Sequence, residues 1–261
     1  MLKKELAKYP KVHPAMVAVW AALISVSGLL PTFPMFGTGG TFSIGMALAP
    51  LAGIMFGPWT GALAVAIGGI IGSFIAPHTA VFGIFTFISD TCLTFAAGFM
   101  ARKNWKVGAI MLAIMAVIWF GVFQVGREAW IFACVIFGAG LIMCPIGAIV
   151  GGKLFDKGGV SRVIGLALIA WPCYMVGLMA GDILMLIMMD IPAELLNTMM
   201  VWLSPFERTV FAIASGIIGV PLLVGLPKIS VYVGPDYDGE EKSDELDAQM
   251  AAEAAAKHAE E

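Results

Sequence analysis

The sequence predicts an all-α, polytopic transmembrane helical bundle of about eight spans, and three observations predict it. The 261 residues are 60% hydrophobic and 13% charged, with a mean hydropathy of +0.93, too apolar for an ordinary soluble domain. Eight apolar runs of spanning or near-spanning length follow one another with short breaks. Lys and Arg collect beside alternate breaks, as the positive-inside rule requires.

Residues 1–13 are basic and polar for too long to be a cleavable signal, so this N-terminus is expected to be retained. The transmembrane domain, 14–228, contains runs at 14–30, 42–56, 59–76, 80–101, 107–125, 130–152, 163–189 and 209–226. The second is short for a bilayer, which points to a tilt or to a start sunk beneath the preceding loop. Of the 13 bases before the acidic tail, 11 fall on one side, and the other side holds only Arg127 and Arg208, each beside Glu128 or Glu207. Both termini are therefore expected in the cytoplasm of a multi-pass plasma-membrane protein. The outer face would then comprise the loop 31–41, the turns 77–79 and 124–129, and the segment 190–208. The remaining 229–261 read as a mobile acidic tail, since Asp236 to Glu261 holds 10 acids and 2 bases without an apolar stripe wide enough for a core. Solvation is the default for such a run, and a basic partner surface the alternative.

Small residues indicate how the spans pack. Ala64, Gly68, Gly72 and Ala76 recur every fourth residue in the third run, a groove that admits another backbone, and Gly147 with Gly151 and Gly177 with Gly181 repeat the device. Ala18 and Ala22, with Ala15 beside them, do so in the first run. Each pattern is read as bundle packing or as a face for a partner helix. Asp90 lies within the fourth run, with Thr86 and Thr94 four residues to either side, and Asp182 lies within the seventh. An ionisable group at that depth marks a function or a hydrogen-bonded structural role, and both remain open. Cys92, Cys134, Cys144 and Cys173 all fall in apolar runs without metal-ligand spacing and read as buried thiols. No Ser-His-Asp set, HExxH, GxSxG, Walker or haem pattern is present, so neither catalysis, a metal, a cofactor nor a nucleic-acid partner is expected.

For a solute, the candidate contacts are Thr38, Gly39, Gly40, Thr41 and Phe42 in the polar loop, His78 at an outer turn, and Asp90. Arg127 and Glu128 either orient an ionic solute or form a self-compensating turn at headgroup level. Trp119, Trp130, Trp171 and Trp202 are candidates for ring stacking, with interfacial anchoring the commoner role.

Several stretches resemble one family. The Ala18/Ala22 pattern, the loop ending GGTFSIG, the helices ALAPLAGIMFGP and TGALAVAIGGIIG, and the final PFERTVFAIASGIIGVPLLVGLPKI are similar to the substrate-binding S components of energy-coupling factor (ECF) vitamin transporters. The resemblance covers about the first hundred residues and the last two dozen before the tail. It departs in helix number, eight against the family's usual six, as if a hairpin were added between the fourth and last helices. The chain also starts Met1-Leu2-Lys3 and lacks the Met-His amino-terminus of the cobalt and nickel systems, which counts against a metal substrate. The resemblance implies high-affinity capture of a vitamin or precursor from outside, beneath the loop 31–41. It implies that a separate transmembrane T component, driven by cytosolic ATPases, topples the loaded subunit in the lipid bilayer, and that Ala15, Ala18 and Ala22 meet that partner. Two other classes stay open: a scaffold subunit of a membrane complex without a solute pocket, and a secondary transporter using Asp90 or Asp182 as a proton site, for which inverted repeats would be expected.

Overall fold

A computed structural model describes residues 12–34, 40–229 and 231–238. Thr38 and Gly39, most of the N-terminal segment 1–13 and residues 239–261 of the tail lie outside the described residues. Eight apolar helices correspond to the eight runs: α1 (Pro14–Ser27), α2 (Gly45–Phe56), α3 (Pro58–Ile75), α4 (Gly83–Ala101), α5 (Trp105–Val122), α6 (Trp130–Lys157), α7 (Gly159–Met188) and α8 (Ala193–Ile229). Six of them are long enough to cross a membrane, α1 and α2 being the shorter pair. Strands β1 (Pro31–Pro34) and β2 (Thr41–Ser43) turn the expected loop into an antiparallel hairpin at one end of the bundle. The opposite end carries Arg102, Lys103, Lys153, Lys157 and Arg162 and is called the basic end below.

Helix α1 starts at Pro14, whose missing N–H would be unpaired at that position anyway, and His13 Nδ1 accepts from Ala15 N at 3.2 Å. Its Ala21 and Ser25 lie in the small-residue groove of α3. A Cβ at Gly68 would sit 2.6 Å from Ala21 O, and Ser25 Oγ donates to Gly68 O at 2.9 Å. The groove is thus an internal interface, and the opposite face of α1, with Ala15, Ala18, Ala22 and Val19, is exposed. The other small pairs also pack inside the bundle: Gly147 and Gly151 against Leu168 and Gly165 on α7, and Gly177 against Leu93 on α4.

Helix α2 is the buried axis. Its 12 residues span only ~18 Å at 1.5 Å per residue, against a hydrocarbon core of ~30 Å. It can be short because α1, α3, α4 and α8 surround it, and α3, α4 and α8 are long enough to carry the crossing. Gly57, with φ +87°, turns the chain directly into Pro58 and α3 at the basic end, a conformation that a Cβ would strain. Pro50 inside α2 removes the N–H that would have bonded Met46 O, and Tyr174 Oη of α7 supplies the missing donor at 2.8 Å. Ser215 Oγ of α8 lies 2.8 Å from that hydroxyl and donates to Ala47 O at 2.7 Å. Thr94 Oγ1 of α4 bonds Ala49 O at 2.9 Å. Three neighbours therefore hold the first turns of α2 in register, where an unpaired carbonyl would be costly without water.

Helices α5 and α6 form a hairpin after α4. Only Gly108, Leu112 and Trp119 of α5 are buried, and the short helical turn Gln124–Glu128 joins it to α6. Pro145 and a wide π turn at Gly147–Gly151 interrupt the regular ladder of α6 where it meets α7.

The last helix corrects the sequence reading. Residues 190–208 were expected outside, with the final span beginning at Thr209, yet helix runs from Ala193 through a π turn at Leu196–Met200 and past Pro205. The apolar window stopped at Glu207 and Arg208 because charges are excluded from lipid. Here they are buried within the bundle, where a polar cavity and not lipid receives them. The start of the acidic tail is also packed. Val233 is buried, Gly234 N bonds Met55 O at 2.9 Å, and Asp238 pairs with Arg102. Of the cysteines, Cys144 and Cys173 are buried, Cys92 is half-buried, and Cys134 is exposed, contrary to expectation, because its side of α6 has no neighbouring helix.

Candidate functional site

Because α2 is short, space remains between its first turn and the hairpin end, and a cavity of about 130 Å³ fills it. Phe42, Ser43 and Met46 close it from the hairpin and the start of α2, Gly68, Gly69 and Gly72 of α3 lie along it, and Thr86, Ser89 and Asp90 come from α4. Helix α7 contributes Leu178, Asp182 and Met185, and α8 contributes Met200, Ser204, Glu207 and Arg208. The glycines reach the cavity edge while α1 and Phe87 fill the space that their side chains would take, and rings and methionines supply apolar contact.

The electrostatics centre on α8. Arg208 is 6% exposed, yet its guanidinium lies 5.0 Å above the Phe42 ring, and Nη1 donates to Met46 Sδ at 3.1 Å. Among the described residues Arg208 Nε has no hydrogen-bond partner, and neither has Asp182 Oδ2 on α7 nor Thr41 Oγ1 on β2. Buried polar atoms normally find partners, so three orphans around one cavity mark it as a place where something else binds. The Tyr174–Ser215 network lies beneath, and through Met46 it fixes both a backbone carbonyl and the sulfur that touches Arg208.

Of the residues singled out from sequence, Thr41, Phe42 and Asp90 are brought together on the cavity wall. Gly40 is buried without lining it, and Thr38 and Gly39 are outside the described residues. His78 is exposed, although its neighbours Thr79 and Ala80 line the cavity. Arg127 and Glu128 are exposed at the α5–α6 turn. There Arg127 donates to Phe120 O, Glu128 accepts from Gln124, and Asn197 Nδ2 of α8 bonds Glu128 O, an arrangement that builds a turn and not the cavity wall. None of the four tryptophans lines the cavity: Trp119 bonds Gly126 O, Trp171 bonds Thr209, and Trp130 and Trp202 are exposed.

Glu207, Arg208 and Ser204 were missed as site residues. A signal existed: Val201, Ser204, Arg208, Phe211 and Ser215 are spaced by three or four, one helical face that carries its polar groups across the supposed boundary at Thr209. Asp182, read from sequence as an intramembrane charge and an alternative proton site but not as a solute contact, also lies on the wall. Among the described residues no group of three His, Cys, Asp or Glu side chains is arranged to hold a metal ion.

Comparisons with known proteins point the same way. The family model described as ECF-type riboflavin transporter, S component, matches residues 12–172, more than half of the chain. That match runs through the α5–α6 hairpin and ends inside α7, so it includes the region that the sequence set apart as an addition. An uncharacterised protein of Methanocaldococcus jannaschii is 27% identical over 162 residues, 62% of this chain and 54% of the relative. The chain thus spans about half the length of the curated relative it matches. No solved structure matches. Eight apolar helices, a polar cavity at one end and this match lead to one conclusion: the chain belongs to the S-component family of ECF-type riboflavin transporters, membrane-embedded substrate-binding subunits and not a family of enzymes.

Proposed function

We propose that this chain captures riboflavin, or a flavin-like vitamin or precursor, for uptake across the plasma membrane, with energy supplied by a separate T component and cytosolic ATPases. The observation that carries the reading is the cavity itself, whose wall holds Phe42, Phe82 and Phe87 together with Asp182 Oδ2 and Arg208 Nε, two atoms without a hydrogen-bond partner among the described residues. Rings hold an aromatic solute by stacking and area, and the two orphan groups orient its polar edge. Both termini lie in the cytoplasm on this reading, so the β-hairpin end faces outward and the loop 31–41, with Thr38, Gly39, Gly40, Thr41 and Phe42, acts as the lid. His78, Arg127 and Glu128 then act at most on the approach of solute. At about 130 Å³ the cavity has room for roughly ten waters at 10–15 Å³ each, so a three-ring solute requires Met46, Met185 and Met200 to swing aside. Unbranched thioethers are suited to that.

The exposed face of α1, with Ala15, Ala18 and Ala22, is the proposed T-component contact, since small residues allow close and reversible packing. The test is purification: protein solubilised from riboflavin-replete cells should carry a stoichiometric flavin identifiable by mass spectrometry. A protein that is empty and co-purifies with an unrelated enzyme would establish the scaffold reading instead. Accumulation of solute on an ion gradient, in vesicles lacking any ATPase, would establish secondary transport.

A further inference from the structure

The first turns of α8, residues 193–204, bring Met200, Leu203 and Ser204 to the cavity wall. This piece is joined loosely to the rest of its own helix. The π turn Leu196–Met200 widens the backbone ladder at one point, and Pro205 has no N–H to give Val201 O at another. Of its residues only Leu196, Val201 and Ser204 are buried. Among the described residues, the side-chain hydrogen bonds that tie 193–204 to another part of the chain both come from Asn197.

Those two bonds occupy a particular gap. Where Gln124–Glu128 passes into α6, helical rungs join Ala129 N to Val125 O at 2.8 Å and Ala133 N to Ala129 O at 3.1 Å. Between them Ala129 leaves helical geometry, with φ −85° and ψ +35°, and the rung from Phe132 N to Glu128 O is taken by Asn197 instead. Its Oδ1 accepts from Phe132 N at 3.1 Å and its Nδ2 donates to Glu128 O at 2.9 Å. A carboxamide carries an acceptor and a donor side by side, as a peptide does; a methyl group has neither and a carboxylate has only acceptors. The exchange ties the start of α8 to the α5–α6 turn through backbone groups that would otherwise lack partners.

We propose that Asn197 is a positioning residue for the solute cavity: standing in for the open rung at the α5–α6 turn, it holds 193–204 against the bundle and keeps Met200, Leu203 and Ser204 on the wall. The inference rests on the reading of this cavity as the solute site. Asn197 does not line the cavity and touches no solute; it acts through its helix, with Arg208 about three turns further on. Pro205 lies between them, so a piece freed at Asn197 can swing at the proline while Glu207 and Arg208 stay where α8 is packed against α7.

The experiment uses full-length protein in detergent carrying Ser204→Cys, or Met200→Cys as a second reporter, each with and without Asn197→Ala or Asn197→Asp. Labelling by a charged methanethiosulfonate reagent is followed peptide by peptide in mass spectrometry, and the native Cys173, fully buried on α7, reports any general loosening. Riboflavin affinity and release rate are measured for the two Asn197 variants in the otherwise unaltered chain. Both variants should speed labelling of the reporter about tenfold, leave the rate at Cys173 unchanged, and raise the riboflavin release rate and Kd about tenfold, as expected for one or two lost hydrogen bonds. Unchanged labelling at both reporters overturns the inference. So does Cys173 reacting in step with them, and so does faster labelling with riboflavin affinity and release unaltered; each of these results leaves the flavin reading standing. Wild-type protein that binds no riboflavin removes the flavin reading, and the labelling comparison then decides the inference by itself: a faster reporter beside an unchanged Cys173 supports it, and an unchanged reporter overturns it.

Discussion

Two arginines, one at each end of the bundle, are treated in opposite ways. Arg102 at the basic end is fully committed: Nε and Nη2 make a two-pronged pair with Asp238 at 2.7 and 2.8 Å, and Nη1 donates to Gly98 O at 2.9 Å and, more weakly, to Gly53 O and Ile54 O. It closes the last turns of α2 and α4, where Ile54 O faces the Pro58 position that has no N–H to give, adds a second donor to Gly53 O, and pins the chain at 231–238 across them. Arg208 at the hairpin end is equally buried but is left with a methionine, a ring and an orphan Nε. A charge whose hydrogen bonds are met by its own chain holds structure together; one whose bonds are left open at a cavity awaits a ligand.

That contrast is open to breakage. The largest effect should come from Arg208→Ala, which should weaken solute binding by a factor of about 100 or more while changing the melting temperature little, since lost hydrogen bonds to a charged group are worth ~1.5–3 kcal/mol each. Retained affinity, measured by titration, would mean that the open arginine is structural after all. Arg102→Ala should do the reverse, lowering stability by ~2–4 kcal/mol in thermal or denaturant unfolding with solute affinity nearly intact, because Asp238 loses its two-pronged partner and the carbonyls at the ends of α2 and α4 lose a charged donor.

Tyr174→Phe sharpens the comparison, because Tyr174 supports Met46, and Met46 touches Arg208. It should cost ~1–3 kcal/mol in stability and a modest, severalfold loss of affinity; a stability loss with unchanged affinity would uncouple the network from the cavity. Asp238→Asn should be the mildest, ~0.5–1 kcal/mol and smaller still in high salt, since that carboxylate is partly exposed. Outside the comparison, Ala18→Trp should abolish uptake in whole cells while leaving solute affinity unchanged; unaltered uptake would displace the partner face from α1.

How much of this could be read in the sequence depended on how local the cause was. The eight apolar runs became eight helices because backbone in lipid must bond to itself, a demand met within each segment. The break between the runs 42–56 and 59–76 was visible because glycine permits the turn and proline starts the next helix, both local properties of Gly57 and Pro58. The groove Ala64, Gly68, Gly72, Ala76 was legible as a groove, but only packing showed that α1 fills it and turns Ala15, Ala18 and Ala22 outward. Asp90, Thr41 and Phe42 were found because they are conspicuous where they stand. Glu207 and Arg208 were misplaced because hydropathy treats every charge as facing water or lipid, and has no term for a cavity built by other helices.

The sequence by itself determined the class, the number of apolar segments and, except at the start of α8, their boundaries to within a few residues, since chain composition and backbone hydrogen bonding act segment by segment. Only the tertiary structure decided that α2 stops short and leaves a cavity, that α8 extends back through Glu207 and Arg208 to line it, and that Arg102 is closed while Arg208 stays open. Each of those outcomes depends on which residues from distant parts of the chain arrive at the same place, and that is fixed by packing between helices and not by the composition of any one of them.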